Sequence, residues 1–452
     1  MARGGAGVRA PGGGARAIPV LDVTLAGDRS RLEEILARYA AGSWERGEVA
    51  EQLDEFVADL RARGDGAIVD YLRRHTRGDY SEAAIRVAPE TLAAAGAALE
   101  PRVAAALRRA ADNVRAYQSH IMPADPPPLH RHGAELGLRH TPVASAGLSV
   151  PGGAGAYPST VVMLVVPAQV AGVGRLAVAA PPRASGSAVE IDGTVLGLCH
   201  LLGIHTVYRI GGFALAALAL GTERVAPVEM IAGPSNVYGQ QAKRKLFGTV
   251  GIDGLYGPSE IVVLADATAR PAWVAADLLA QAEHDPGTAI LVAVDRAVIE
   301  RVAEELAALL AGRSRRGALE RALASNCALV QVPDVPAAYA LIDRIAPEHL
   351  TLAVAEPHAA LNEVRNAGAV FLGDRSPVAS GDYWAGPSHC LPTGRTARFS
   401  SGCSVYTFLK RTSIESYPHG LPRQGFDDIE LLAGIEGFEA HAHSVRLRRP
   451  ED

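Results

Sequence analysis

The chain has 452 residues, and its 44 basic and 49 acidic side chains give a formal net charge of −5 at pH 7. Apolar residues make up 48% and charged residues 21% of the chain, which is typical of a globular protein with two or three domains. Because the chain has no excess of basic residues, nucleic acid and anionic membranes are poor candidates for partners.

Neither the cysteines nor the apolar segments indicate export or membrane insertion. The four cysteines are far apart and never at C-x-x-C spacing, so we expect no disulfide scaffold and a reducing, cytoplasmic environment. The first 18 residues contain three arginines and many glycines without an apolar core, which predicts a disordered leader and not a signal peptide. Residues 161–180 are the most apolar stretch, but a proline, two glycines and an arginine interrupt it.

The first third of the chain is predicted to be helical. Between residues 29 and 117, apolar side chains recur at intervals of three and four positions, as on one face of a helix. The proline-rich segment at 123–128 ends this region, because proline in a helix interior removes a hydrogen bond and clashes with the preceding turn.

Beyond residue 140 the pattern changes to short β-rich runs that alternate with helical segments. The predicted strands lie at 176–180, 206–210, 229–232, 260–265, 289–294, 328–332 and 369–372. The predicted helices include 159–171, 271–284, 297–311, 335–344 and a tail at 426–436. Such alternation predicts parallel sheets covered by helices.

We therefore predict an α/β fold with two Rossmann-like α/β units that contain parallel sheets, a helical N-terminal region and a helical C-terminal tail. The predicted parts are a disordered leader (1–28), a helical N-terminal region (29–139), a first α/β domain (140–254), a second α/β domain (255–380), and a polar loop with the helical tail (381–452).

Three glycine-rich segments are candidates for phosphate-binding loops. Residues 172–177 match the G-x-G-x-x-A dinucleotide motif, but a predicted helix precedes these glycines and a strand follows them, so we predict a helix-to-strand turn. The segments at 150–153 and 233–236 instead precede helices, where backbone N–H groups can bind phosphate. A plain tight turn is the alternative for both.

Several imidazole, carboxylate and amide side chains have the chemistry of zinc ligands. Gln281 and His284 are three residues apart at the end of a predicted helix and therefore share a face. Asp382 and His389 share one loop, and the C-terminal segment adds Glu436, His441 and His443. About four such groups complete a zinc coordination shell, whereas the alternative for each pair is a solvated surface pair.

Glu348 and His349 are adjacent at the point where a predicted helix gives way to a strand. A carboxylate beside an imidazole provides two groups that transfer protons near neutral pH. The spacing does not establish whether this pair and the zinc-type side chains meet in space.

In this order, the motifs resemble those of the histidinol dehydrogenase family. The resemblance runs from near residue 30 to residue 445. Its most specific segments are VPGG (150–153), YPSTVVM (157–163), GPSE (257–260), DLLAQAEH (277–284), APEHL (346–350), FLGD (371–374), GDY (381–383), LPTGRTARFSSG (391–402), FLKRTS (408–413) and EAHAHSV (439–445).

The resemblance implies a zinc- and NAD-dependent dehydrogenase of histidine biosynthesis, which oxidises L-histidinol to L-histidine in two steps through the aldehyde. It implies one zinc ion per chain, and the ligands would be Gln281, His284, Asp382 and His441. The residues that would contact the substrate are these four ligands together with Ser259, His349 and Glu436.

The resemblance also assigns the proton transfers and the assembly. His349 would take the proton of the alcohol as the general base, and Glu348 would activate water for the second oxidation. The family forms an intertwined homodimer, which makes residues 381–452 an active-site loop and a dimerisation tail. Glu436 and His441 would then complete the active site of the other chain.

The residues at the positions where the family contacts its cofactor depart from the family pattern. The family has a tyrosine where this chain has Ser149 and a glutamine near Phe213 and Ala214; of the expected cofactor contacts only Asn236 remains. We therefore expect weaker NAD binding than is usual for the family, unless Phe213 or Tyr256 supplies an aromatic surface for stacking. A paralogue that oxidises a different amino or polar alcohol is the alternative function.

Two functions from other classes stay open at this point. In a zinc hydrolase, Glu348 would activate a metal-associated water molecule without any redox step. In a non-catalytic, zinc-stabilised homodimer, the changes at 149 and 213–214 would have removed cofactor binding, although retention of the proton-transfer residues argues against this.

Overall fold

The computed structural model describes residues 18–450 except for 41–46, 77, 153–154, 186–187, 285–286, 312 and 314–315. The elements up to residue 142 are β1 (Val20–Asp22), α1 (Ala26–Ala40), α2 (Gly47–Arg63), α3 (Asp65–Thr76), α4 (Pro89–Ala97), α5 (Pro101–His120), β2 (Leu129–Arg131) and β3 (Ala134–Pro142). Proline begins both α4 and α5, where its missing N–H group costs no hydrogen bond.

The next part of the chain forms the first sheet. Its elements are β4 (Ser145–Ser149), α6 (Pro158–Ala171), β5 (Arg175–Ala179), β6 (Arg183–Ser185), β7 (Ala188–Glu190), α7 (Gly193–Leu201), β8 (Val207–Tyr208), α8 (Ala217–Leu220), β9 (Met230–Ala232), α9 (Val237–Leu246) and β10 (Gly251–Ile252). Five strands pair in parallel in the order β10-β9-β4-β5-β8. One face of this sheet packs on α4 to α7, and the other packs on α2, α3 and α9.

The second sheet follows the same plan. Its elements are β11 (Glu260–Ala265), α10 (Pro271–Ala282), β12 (Thr288–Ala293), α11 (Arg296–Ala311), α12 (Arg316–Asn326), β13 (Ala328–Gln331), α13 (Val335–Ile345), β14 (His349–Ala353), α14 (Pro357–Glu363) and β15 (Ala369–Leu372). Six strands pair in parallel in the order β1-β13-β12-β11-β14-β15. Every residue of β11, β12 and β14 is buried, as expected for strands with helices on both faces.

The C-terminal elements are α15 (Val378–Tyr383), β16 (Leu409–Ser416), α16 (Arg423–Ile435) and α17 (Glu439–Arg446). β16 pairs antiparallel with β3, and β3 pairs antiparallel with β2, which forms a three-stranded sheet apart from the two parallel ones. Within the described ranges, no helix has both the length and the apolar composition needed to cross a membrane.

The structure confirms the predicted fold class and the main elements. Each of the seven predicted strands is present, with ends that differ by at most three residues, and two of them match the predicted ends: β11 and β15. The turn at 172–174 is also as predicted, because Gly172 ends α6 in the left-handed conformation (φ +87°) and β5 begins at Arg175.

The expected disordered leader is too long. Residues 1–17 lie outside the described part of the chain, but β1 and the start of α1 fall within the predicted leader at 1–28. Val20 and Leu21 are buried because β1 is the edge strand beside β13, where Val20 pairs with Leu329. A three-residue strand is too short to produce a periodic sequence pattern.

The expected helical region at 29–139 is not one unit. Leu32, Ile35 and Leu36 of α1 pack on the second sheet, whereas α2 and α3 pack on the first. β2 and most of β3 also lie inside this range, and β3 pairs with a strand about 270 residues later in the sequence. Apolar periodicity predicts a helix but not the sheet against which it packs. The boundaries at 254 and 380 stay predictions.

Candidate active site

A cavity of about 220 Å³ lies where the two parallel sheets approach each other. It is bordered by the segments that follow β4 and β9 of the first sheet and by those that precede β11 and β14 of the second. The cavity brings together six of the candidate catalytic, substrate-binding and zinc-type residues of the sequence: Ser259, His284, Glu348, His349, Asp382 and His389.

His349 is the first residue of β14 and is 5% exposed. Its Nδ1 lies 3.0 Å from the backbone oxygen of Glu260 on the neighbouring strand. A carbonyl oxygen only accepts hydrogen bonds, so Nδ1 carries the proton and Nε2 is the basic nitrogen. Burial lowers the pKa of His349 to about 4, which leaves the imidazole neutral at neutral pH.

The carboxyl group of Glu348 is held by the same neighbouring strand. Its Oε2 accepts a hydrogen bond of 2.8 Å from the backbone N–H of Glu260, and the nearby Ser259 side chain favours the charged form and so lowers its pKa. Burial, reinforced by the nearby carboxylates of Glu260 and Asp382, raises the pKa of Glu348 well above its usual value. A carboxylate in such a site is a stronger base than one in water.

Asp382 near the end of α15 is linked to the first α/β unit through His389. His389 Nδ1 donates to the backbone oxygen of Asp382 at 3.2 Å, and its Nε2 accepts from the Thr160 hydroxyl of α6 at 3.2 Å. Burial raises the pKa of Asp382 to about 6 and lowers that of His389 to about 4. The sequence pattern offered His389 as a zinc-type side chain beside Asp382, although the ligand set implied by the resemblance omitted it, and no pattern identified Thr160.

Gln281 is buried in the last turn of α10 and does not line the cavity. Its Nε2 has no hydrogen-bond partner, which is uncommon for a buried amide. The helix ends at Ala282, two residues earlier than predicted, so His284 lies in the turn that follows it. Asp285 and Pro286, the next two residues of the sequence, lie outside the described residues.

Glu436 and His441 lie at the end of α16 and in α17, are exposed, and do not line this cavity. Among the residues that the structure describes, no group of three His, Cys, Asp or Glu side chains is arranged to hold a metal ion. A single chain therefore gathers His284 and Asp382 of the expected zinc ligands, with Gln281 nearby on α10.

A second cavity, of about 470 Å³, lies at the carboxyl ends of the strands of the first sheet. From β4 the chain continues to β5 on one side of the sheet, whereas from β9, the other neighbour of β4, it continues to β10 on the opposite side. The strand order therefore reverses between β4 and β9, and parallel sheets commonly bind nucleotides at such a point. Ser149, Ser235 and Asn236 line it. Asn236 also caps α9, since its Oδ1 accepts from the Gly239 N–H at 3.1 Å.

The aromatic side chains of this second cavity are not the expected ones. Phe213 is buried behind the cavity wall, and Tyr256 lines the smaller cavity instead. The rings that line the larger cavity are those of Tyr71 and His75 on α3 and Tyr238 on α9. Phe213 supports them from behind, with ring centroids 5.7 Å from Tyr71 and 5.2 Å from Tyr238.

The two cavities adjoin. Pro151 lines both, and the turn at 233–236 contributes Pro234 to the smaller cavity and Ser235 to the larger one. Gly153, the last residue of the VPGG motif, lies outside the described residues. A nucleotide-sized cavity therefore lies next to a small polar cavity with an imidazole and a carboxyl group.

Fold and site together define an α/β enzyme with acid–base side chains beside a nucleotide-type pocket. A family model for histidinol dehydrogenase matches residues 41–449. Histidinol dehydrogenase of Cereibacter sphaeroides is 46% identical over 401 residues, which cover 87% of this chain and 90% of that protein. Histidinol dehydrogenase of Moorella thermoacetica is 44% identical over 418 residues, or 92% and 98% of the two chains.

A solved structure agrees with these sequence relatives. The crystal structure of histidinol dehydrogenase from Elizabethkingia anophelis superposes with a TM-score of 0.87 at 27% identity, over 97% of this chain and 99% of that one. The chain belongs to the histidinol dehydrogenase family. It is accordingly an NAD-dependent oxidoreductase that acts on a CH–OH donor.

Proposed function

We propose that this enzyme oxidises L-histidinol to L-histidine in two NAD-linked steps through the aldehyde. The observation that carries the proposal is the buried pair of Glu348 and His349, oriented by the backbone N–H and C=O of Glu260, beside a cavity that adjoins a nucleotide-type pocket. The names of the relatives support histidinol as the substrate.

In the first step, the alcohol loses a proton and a hydride. His349 accepts the hydroxyl proton at Nε2, because its Nδ1–H is held by the backbone oxygen of Glu260. The nicotinamide of NAD, when bound, accepts the hydride from the carbinol carbon. The products of this step are the aldehyde, a protonated His349 and the reduced cofactor.

In the second step, water adds to the aldehyde and the resulting hydrate is oxidised. The carboxylate of Glu348 accepts a proton from the attacking water, a task for which its raised pKa suits it. The hydrate then loses a hydride from the same carbon to a second NAD molecule, and the acid formed releases its remaining proton, so that the carboxylate product carries an oxygen atom from water. Ser259 lines the same cavity and favours the charged form of Glu348.

Zinc fits the donors around the smaller cavity. His284 and Asp382 line this cavity. Gln281 has a buried amide nitrogen without a hydrogen-bond partner, and rotating the amide by 180° would put its oxygen, a possible zinc ligand, at the position of that nitrogen. His441 from a second copy would be the fourth ligand. When bound, the zinc ion would supply a Lewis acid that orients the substrate.

The second copy is also needed for the remaining substrate contact. Glu436 is exposed in the described chain and does not line either of the two cavities. The helix that carries it has large exposed apolar side chains at Leu431, Leu432 and Ile435, a pattern typical of a surface that packs on another chain. We therefore propose a homodimer in which Glu436 and His441 complete the partner's site.

NAD would bind in the larger cavity. Asn236 and the first N–H groups of α9, other than the Gly239 N–H that Asn236 caps, would bind the phosphates. Tyr71, His75 and Tyr238 offer aromatic surface, although the family's tyrosine is replaced by Ser149. We retain the expectation of weaker NAD binding, because Ser149 donates to the Pro234 backbone oxygen and offers no ring.

The experiment is a substrate panel. Purified protein is mixed with NAD and either L-histidinol or other amino and polar alcohols, with and without a chelator, and NADH absorbance is recorded. We expect NADH from L-histidinol and its loss with the chelator. If NADH forms only from another alcohol, the enzyme is a paralogue with a different substrate. The changed residues at the cofactor-contacting positions favour this alternative. Substrate loss without NADH would identify a hydrolase, and no turnover would identify a non-catalytic dimer.

A further inference from the structure

One buried ion pair has no part in the proton transfers proposed above. Lys243 of α9 and Asp253 after β10 have no solvent exposure in their side chains, and Nζ lies 2.6 Å from Oδ1. Removing two charges from water costs several kcal/mol per ion, so such a pair is a weak source of stability. Apolar side chains of similar size would often stabilise the fold as well or better.

Both members of the pair form hydrogen bonds with the backbone of the same residue, Gly233. Lys243 Nζ donates to the Gly233 backbone oxygen at 2.9 Å, and Asp253 Oδ2 accepts from the Gly233 N–H at 2.6 Å. Hydrogen bonds to charged groups are the strong ones in proteins. The two side chains therefore fix the orientation of one residue at the end of β9.

Gly233 is also restricted by its surroundings. Its φ of +109° is unfavourable for any residue with a side chain, and a Cβ atom there would lie 2.3 Å from the Ser149 backbone oxygen. The backbone of the turn thus packs directly on the end of β4. A small rotation at Gly233 would move every later residue of the turn.

The turn at 233–236 forms part of the wall between the two cavities. Pro234 faces the smaller cavity, whereas Ser235 and Asn236 face the larger one and precede the start of α9. The orientation of Gly233 therefore decides how this turn and the first N–H groups of α9 are presented to a dinucleotide.

The choice of lysine at position 243 supports a specific role for its ammonium group. The chain contains three lysines among its 44 basic residues, and one of them is this fully buried side chain. An ammonium group is compact and directs three N–H bonds apart, whereas a guanidinium group is a planar fork. Lys243 uses this geometry to reach Gly233 and Asp253 while lying 4.8 Å from the centre of the Tyr256 ring.

We propose that Lys243 and Asp253 are positioning residues for the cofactor, which hold the turn at 233–236 in the conformation that binds NAD. This proposal rests on the NAD site proposed above. It predicts that loss of the pair weakens NAD binding without changing the metal content or the chemistry of the bound complex.

The main variant is the double substitution Lys243→Met with Asp253→Asn. It leaves no unpaired buried charge and keeps an acceptor for the Gly233 N–H, but it removes the donor to the Gly233 oxygen. We expect the Kd and KM for NAD to rise about tenfold, as for loss of a charge-assisted hydrogen bond. The kcat at saturating NAD and the zinc content should stay near their wild-type values.

Two further variants complete the series. Asp253→Asn alone leaves the buried Lys243 cation without its counter-charge, so we expect it to lower the thermal stability and to raise the Kd for NAD at least as much as the double substitution does. Lys245→Met is the matched control, because Lys245 lies on the same helix in an exposed pair with Asp54. The control should bind NAD as the wild type does. Calorimetry gives the Kd, and thermal unfolding reports whether each variant folds.

The outcomes separate the two proposals. Folded variants with an unchanged Kd for NAD, or with a lower kcat at an unchanged Kd, would overturn the positioning role alone. Failure of both Asp253 variants to fold would also overturn it, since the pair would then serve the whole fold. A wild-type protein that binds no NAD would overturn the proposed function, and the positioning role with it.

Discussion

The backbone of one residue, Glu260, orients both side chains that are proposed to move protons. Its N–H donates to Glu348, and its carbonyl oxygen accepts from His349. The two contacts require β11 and β14 to be neighbours, with Ile261 opposite His349. The sequence could predict the adjacent pair, but it could not predict Glu260 as their support, because that contact spans about 90 residues of chain.

Replacing the proposed base should stop the first oxidation. In His349→Ala, no group accepts the alcohol proton, so we expect the rate of L-histidinol oxidation to fall by about 10²–10⁴-fold. The zinc content should not change, because His349 is not among the proposed ligands. Steady-state NADH formation and metal analysis check both parts; loss of zinc in this variant would contradict the assignment.

Replacing the proposed water-activating group should affect the second oxidation most. Glu348→Gln keeps an oxygen that can accept from the Glu260 N–H but cannot take a proton from water. We expect aldehyde oxidation to fall by at least about 100-fold and alcohol oxidation by much less. Separate assays with alcohol and aldehyde test this, and an equal loss in both would show that the roles are not divided as proposed.

At the scale of elements, sequence periodicity predicted most helices and strands but not their partners. β1 and α1 belong to the second sheet, although α2, which follows them, packs on the first. Phe213 and Tyr256, the rings considered as replacements for the family's tyrosine, do not line the larger cavity, where α3 supplies Tyr71 and His75. Which helix closes a pocket depends on long-range packing, which has no local sequence signal.

The turn between α10 and β12 offers an element-scale prediction. A Cβ atom at Gly287 would lie 2.1 Å from the Gln281 backbone oxygen, so Gly287→Ala must displace the end of α10. We expect a loss of about 1–3 kcal/mol in unfolding free energy together with a lower zinc content. The matched control is Gly193→Ala, where a Cβ would meet no atom within 4 Å. Full zinc content in Gly287→Ala would contradict the proposed role of this helix end.

At the scale of the whole molecule, the two parallel sheets face the site with opposite ends of their strands. The first sheet contributes the carboxyl ends of its strands, as expected for a nucleotide pocket, and the second contributes the amino ends of β11 and β14. The zinc-type residues near the end of the chain do not reach the cavity in one copy. No pattern in the sequence itself reports contacts with another chain; the family resemblance alone suggested them.

Mixed dimers test whether the sites are shared. If His441 acts in the partner's site, a dimer of one His349→Ala chain and one His441→Ala chain has one doubly defective site and one intact site. Mixing the two inactive homodimers should then restore about half of the wild-type activity per mixed dimer. His443→Ala is the matched control and should keep both zinc and activity. No recovery after confirmed chain exchange would place His441 in its own chain's site.

The most direct test of the proposed two-step oxidation is its stoichiometry. A limiting amount of L-histidinol is converted to completion with excess NAD, and NADH and L-histidine are both quantified. We predict about two NADH for each L-histidinol consumed, with L-histidine as the only imidazole product, because each hydride leaves the same carbon in turn. A ratio of one NADH with accumulation of the aldehyde, or no NADH at all, would contradict the account.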